Sequence, residues 1–149
     1  MKIGLISDTH DRMDQRIHEI FQRVDHIIHA GDVCDSDIIE ELGVIAPTTV
    51  VLGNNDDYLK APQYSVPVFC GIRFLVIHIL DSHLAKIQIA ESKPDIVIYG
   101  HTHVPRDEKV NGIRFINPGS VFRGRQGALR SVAVLELGKT IQNLEFFTL

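Results

Sequence analysis

The spacing of apolar and polar positions predicts β-α units in the first half of the chain and hairpins in the second. Lys2 to Ser7 is an apolar run of strand length, followed by the polar cluster Asp8-Thr9-His10-Asp11. Asp14 can cap a helix whose apolar residues Ile17, Ile20, Phe21 and Val24 fall at i, i+3, i+4 and i+7, leaving Arg16, His18, Glu19 and Arg23 outside. Asp25 to Ala30 predicts a second strand, ending in Gly31-Asp32. Ser36 to Ile45 predicts a second helix with Ile38, Ile39, Leu42 and Ile45 inward, stopped by Pro47. Thr48 to Leu52 is a β-branched third strand, ending in Gly53-Asn54-Asn55-Asp56.

After a polar loop over Asp57 to Ser65 the pattern becomes a hairpin: Val66 to Phe69, a Cys70-Gly71 turn, then Ile72 to His78. Ser82 to Lys93 predicts a third helix with Leu84, Ile87 and Ala90 facing in. The run from Pro94 to Tyr99 is a buried strand, closing at Gly100-His101-Thr102-His103. Asn111-Gly112 is a tight turn, Ile113 to Ile116 returns to Asn117-Pro118-Gly119-Ser120, and Ser131 to Leu137 pairs across Gly138-Lys139 with Thr140 to Phe146. The expected class is α/β, with two mixed sheets packed together and helices outside.

At 149 residues, with no repeat, linker or low-complexity tract, residues 1–149 are expected to form one domain. The formal net charge of −4 argues against bulk nucleic-acid binding, although two bound divalent cations would cancel it. Cys34 and Cys70 offer no disulfide framework. No apolar run is long enough for a membrane span and the first is too short for a signal peptide, so a cytoplasmic protein is expected.

The candidate chemistry lies at the strand ends. One strand ends at Asp8 and His10, others at Asp32, Asn54 and His78, and the last at His101 and His103. In open α/β sheets the functional crevice lies outside the strands' carboxyl ends. If the chain stays extended, His101 and His103 point to one side, as metal ligands would; a turn with a solvated His fits the pair equally well. Any one of these Asp, Asn or His residues reads most simply as a turn, cap or surface residue. Seven donors at five strand ends are another matter. They exceed the roughly four ligands of a zinc site and fit two divalent ions about 3.5–4 Å apart that share a carboxylate.

In order, Asp8-x-His10, Gly31-Asp32, Gly53-Asn54-Asn55-Asp56, His78 and Gly100-His101-x-His103 resemble the signature of the calcineurin-like metallophosphoesterases. The small size and the Asn117-Pro118-Gly119-Ser120 loop resemble its compact phosphodiesterase branch, which also includes the retromer scaffold subunit. The resemblance implies a four-layer α/β/β/α sandwich with the metal site at the strand C-terminal ends. It implies that Asp8, His10 and His103 hold one ion, that Asn54, His78 and His101 hold the other, and that Asp32 bridges. It implies hydrolysis of a small-molecule phosphoester by in-line attack of a metal-bridging water, with manganese the first expectation and iron, zinc, nickel, cobalt or magnesium alternatives.

Three places depart from that pattern. Asn55 stands where many members have a His, so a hydrogen-bond donor to phosphate replaces a proton donor, favouring diesters and activated leaving groups. Ile79 follows His78 where the branch has Gly, and a shortened loop there should leave a more open site; His83 is the weaker substitute ligand. Arg123, Arg125 and Arg130 could clamp a substrate phosphate or form a solvated basic loop. His18 and His26 read as surface residues, His29 as a packing or supporting residue, and Cys34, among acids, as structural. Two readings follow: a dinuclear metal-dependent phosphodiesterase, or a protein-interaction scaffold with a degenerate metal site. A homo-oligomer is compatible with either. No Gly-x-Gly-x-x-Gly or Gly-Lys-Ser/Thr follows the first strand, against a nucleotide-binding fold.

Overall fold

The computed structural model describes all residues, Met1–Leu149. The first half contributes β1 (Lys2–Ile6), α1 (Arg16–Phe21), β2 (His26–His29), α2 (Ser36–Ile45), β3 (Thr48–Val50), β4 (Tyr64–Ser65), β5 (Val68–Phe69) and β6 (Ile72–Ile77). The second contributes α3 (His83–Ser92), β7 (Ile96–Ile98), β8 (Arg106–Val110), β9 (Ile113–Asn117), β10 (Ser131–Leu137) and β11 (Ile141–Thr148).

One sheet runs β11-β10-β1-β2-β3, the other β4-β6-β7-β9-β8 with β5 also on β6. In each, three neighbouring strands are parallel: β1, β2 and β3 in the first, with β3 at its edge, and β6, β7 and β9 in the second. The period-2 alternation sorts their side chains between layers. Ile3, Leu5, Ile28, Phe74, Val76, Ile96, Ile98 and Leu135 meet between the sheets. Ile6, Ile27 and Val132 face outward onto Ile17 and Phe21 of α1 and Ile38 and Leu42 of α2. Leu75, Ile77 and Val97 face outward onto Ala85 of α3. Because both faces of the central strands are covered, they read as continuous apolar runs. The result is the four-layer α/β/β/α sandwich.

Some boundaries differ from expectation. α1 stops at Phe21 rather than Val24, and its N-cap position is Gln15; Asp14, one residue earlier, accepts Arg16 N–H at 3.1 Å. α2 keeps its bounds, capped by the Asp35 carboxylate on Asp37 N–H. α3 turns a different face inward, burying Ala85 and Gln88 while Ile87 and Ala90 are exposed. Apolar residues lie all round this helix, so periodicity alone could not choose a face. Asn111-Gly112 makes the expected two-residue turn, with φ of 50° and 85°.

Candidate metal centre

The parallel strands all end at one edge of the sandwich, and five side chains converge there. Asp8 Oδ1 lies 3.1 Å from His103 Nε2 and 3.9 Å from both His10 Nε2 and His78 Nε2. Asp32 Oδ2 lies 3.4 Å from His78 Nε2 and 3.5 Å from His10 Nε2. Two groupings of ligand atoms suit a cation: Asp8, His10 and His103, and Asp8, Asp32 and His78. The buried atoms Asp8 Oδ1, His10 Nε2 and His78 Nε2 have no hydrogen-bond partner. Such orphans cost roughly 1–3 kcal/mol each unless something satisfies them, and all three face the same small volume.

The imidazoles are held so that their lone pairs point inward. His78 Nδ1–H donates to Ala30 O at 2.7 Å and His103 Nδ1–H to Arg123 O at 2.9 Å, leaving Nε2 unprotonated in the neutral ring. No Lys or Arg reaches either carboxylate; all their ion-pair partners are imidazoles. Burial pushes the His78 imidazole down, but Asp32 and Asp8 reverse this and raise its proton affinity. Burial pushes the Asp32 carboxyl up, yet His78 and the two Asn55 donors hold it well below the usual carboxylate range. The cluster is built for positive charge, and its oxygen and nitrogen donors fit a divalent ion.

Unusual backbone aims these side chains. Asp8, His10, Asp32, His101 and His103 all have positive φ, from 45° to 68°. The chain is therefore not extended through His101-Thr102-His103, and the two imidazoles diverge. His103 joins Asp8 and His10, while His101 Nδ1 meets Asn54 Oδ1 at 3.0 Å. A Cβ on Gly100 would strike Ser7 Oγ and come within 2.8 Å of Asp8 Oδ2, so glycine lets the strand ends close together.

Residues outside the expected ligand set hold the loops in place. Asp8 Oδ2 accepts Ser7 O–H at 2.6 Å and His101 N–H at 3.1 Å. Buried Asp56 accepts Gly53 N–H and Cys34 N–H, both at 2.7 Å, tying two ligand loops together. Ser120 O–H donates to Asp8 O, and Asn117 Nδ2 donates to Gly100 O. His29 accepts Gly31 N–H on Nδ1, so Nε2 carries the proton and donates to Thr9 Oγ1, whose hydroxyl donates onward to Val33 O. The sequence points to His29 as a packing or supporting residue and to the Asn117-Pro118-Gly119-Ser120 loop by resemblance, but to none of these bonds individually.

The expected site residues fall as follows. Asp8, His10, Asp32, His78 and His103 form the cluster, with Asn54 and His101 in contact beside it. Ile79 does not displace His78, and His83 stands exposed on α3. Beside the short loop after His78, a hollow of about 230 Å³ opens onto His101, lined also by Leu80, Asp81 and Tyr99. Asn55 is turned onto Asp32, its N–H on Oδ1 at 2.9 Å and its Nδ2 on Oδ2 at 2.7 Å. Arg125 donates to His101 O at 3.2 Å. Arg130 leaves the site for Asp14, 3.2 Å away. The Cys34 thiol, pushed up to about 12 by burial and nearby carboxylates, lies 3.7 Å from His10 Nδ1. Of the remaining histidines, His18 pairs with Glu41 at the surface, His26 is half-buried against Thr49 and His29 is buried.

A probable metallophosphoesterase of Methanocaldococcus jannaschii is 36% identical over 80% of this chain and 68% of its own. A phosphodiesterase of the same organism is 32% identical over 93% of this chain and 95% of its own. A zinc-complexed Vps29 structure from Entamoeba histolytica superposes with a TM-score of 0.81 over 99% of both chains at 20% identity, a likeness of fold alone. Residues 1–140 match the calcineurin-like phosphoesterase superfamily domain, and the chain belongs to that superfamily.

Proposed function

We propose that this protein is a dinuclear metal-dependent phosphodiesterase. Asp8, His10 and His103 hold one divalent ion, His78, Asn54 and His101 hold the other, and Asp32 lies between them. The observation that carries this reading is the set of orphaned atoms, Asp8 Oδ1, His10 Nε2 and His78 Nε2, turned on one another in a buried site with no cationic side chain. Two ions there supply an attacking nucleophile at neutral pH and neutralise phosphoryl charge. The chain's own part is geometric. Ala30 O and Arg123 O fix two imidazole tautomers, Asn55 fixes both oxygens of Asp32, and Ser7 and His101 N–H fix Asp8 Oδ2. With its amide on Asp32, Asn55 delivers no proton to a leaving group, so rates should climb steeply as leaving-group pKa falls.

The test is elemental analysis after manganese loading, together with hydrolysis of bis(p-nitrophenyl) phosphate. Two ions per chain and turnover abolished by EDTA are expected. A folded protein that binds no metal and releases no nitrophenol would leave the scaffold reading standing.

A further inference from the structure

Beside His10 the rim of the centre carries arginines that no carboxylate neutralises. Arg16, Arg106, Arg114 and Arg130 all pair with acids, whereas Arg12, Arg123 and Arg125, like Arg23 and Arg73 elsewhere, pair with none. Two of these three share one aromatic support. Arg12 Cζ lies 5.0 Å and Arg123 Cζ 5.5 Å from the Phe122 ring centroid, and that ring stands 5.3 Å from the His10 imidazole. Backbone bonds tether all three residues to the centre. Arg12 N–H donates to Thr9 O, Phe122 N–H to Asp8 O, and Arg123 O accepts from His103. Loops about 110 residues apart in sequence thus deliver two guanidiniums to one flank of the cluster.

Neither guanidinium pairs with Asp8 or Asp32; both lie over Phe122, whose ring stands 5.3 Å from that of His10. They are therefore displaced from the phosphorus that the centre would attack. What remains is two planar, unneutralised guanidiniums on one rim, each suited to an anion adjoining the reacting group. Resting on the phosphodiesterase reading above, we propose that the substrate carries a second phosphate group near the scissile one, and that Arg12 and Arg123 bind it.

The test compares two esters with the same leaving group. They are thymidine 5′-(p-nitrophenyl phosphate) and its 3′-phosphorylated counterpart, given to the manganese-loaded protein and to an Arg12→Ala/Arg123→Ala variant whose urea midpoint confirms folding. The wild-type protein should favour the 3′-phosphorylated ester by about tenfold in kcat/KM, the size of one charge-assisted contact at an exposed site. In the double variant that ratio should fall to about one. Equal rates in the wild-type protein, or a preference that survives both substitutions, would overturn the proposal while leaving the phosphodiesterase reading intact. If neither ester is cleaved, that reading fails, and calorimetry with thymidine 3′,5′-bisphosphate and thymidine 5′-monophosphate decides. Tighter binding of the bisphosphate, lost in the variant, supports the rim; equal binding refutes it.

Discussion

The two ends of the sandwich solve the same problem, turning the chain at strand termini, in opposite ways. At the end where β6 and β9 begin, positive φ falls on two-residue hairpin turns, Cys70-Gly71 and Asn111-Gly112. The best-formed charge pair of that end lies there: Arg114 meets Asp107 through two bonds of 2.7 Å beside an open groove of about 780 Å³. At the end where β1, β2, β6 and β7 finish, positive φ falls on Asp8, His10, Asp32, His101 and His103. The left-handed conformation costs a non-glycine residue on the order of 1–2 kcal/mol. Here the buried carboxylates face each other and imidazoles instead of a cationic side chain. One end keeps its left-handed backbone in hairpin turns and a helix cap; the other gathers left-handed backbone and unbalanced charge on the same residues, held in place through surrounding hydrogen bonds. That contrast is what locates function, since neither feature helps the fold.

The sharpest way to break the contrast is Asp8→Asn. An asparagine can keep its oxygen toward Ser7 and His101 and turn its NH2 to the bare His103 Nε2. The rate on an aryl phosphodiester should fall at least about 1000-fold, with loss of bound metal. Metal-free stability by urea titration should hold steady or rise by about 1–3 kcal/mol, because a buried unpaired charge disappears. A large drop in metal-free stability would show that the cluster is not strained without its ions.

A paired glycine substitution separates the two ends more finely. Gly100→Ala forces a methyl group into Ser7 and Asp8 and should cost about 3 kcal/mol, with the metal site lost. Gly112→Ala meets no atom within 4 Å and pays only for its positive φ, about 1 kcal/mol, with activity unchanged. Equal costs in denaturant would mean that close approach is not what Gly100 provides.

The layer order and the placing of donors at strand ends were legible because each rests on local pattern. Buried parallel strands read as apolar runs, and the donors follow them directly. What could not be read depends on residues far apart in sequence. Asp56 reaches back to Cys34, Asn55 to Asp32, and Phe122 meets Arg12 only after the chain has folded. The extended reading of His101-Thr102-His103 failed because both histidines adopt left-handed backbone, a conformation that L-residues rarely announce. The face of α3 was misread because Gln88 is buried and Ile87 is not.

A further difference between the ends is titration, and His29 carries it. Burial pushes this imidazole from 6.5 to about 4, and its hydrogen bonds to Gly31 N–H and Thr9 already require the neutral ring. The unfolded chain therefore binds the extra proton between pH 6.5 and 4, so stability falls as pH drops through that window. The loss should total about 3 kcal/mol. His78, raised by Asp32 and Asp8, has the opposite sign: its contribution is intact below 6.5 and fades as pH rises. Urea titrations in EDTA should show the acid-side slope, and His29→Gln should flatten it. A slope that survives the substitution assigns the acid sensitivity elsewhere.

The smallest effect belongs to the hairpin end. Arg114 and Asp107 have favourable two-bond geometry, yet both side chains are partly exposed, at 25% and 35%. Water competes for each, and holding two long side chains in one arrangement costs entropy. Arg114→Ala should therefore cost about 0.5 kcal/mol in urea. Metal content and rate should stay unchanged, because the substitution removes no hydrogen bond of the ligand loops. A rate change would mean that β9, which begins beside Arg114 and ends at Asn117 under Gly100, transmits disturbance along its length. The two ends would then be one mechanical unit, and the contrast between them would be a gradient instead of a division of labour.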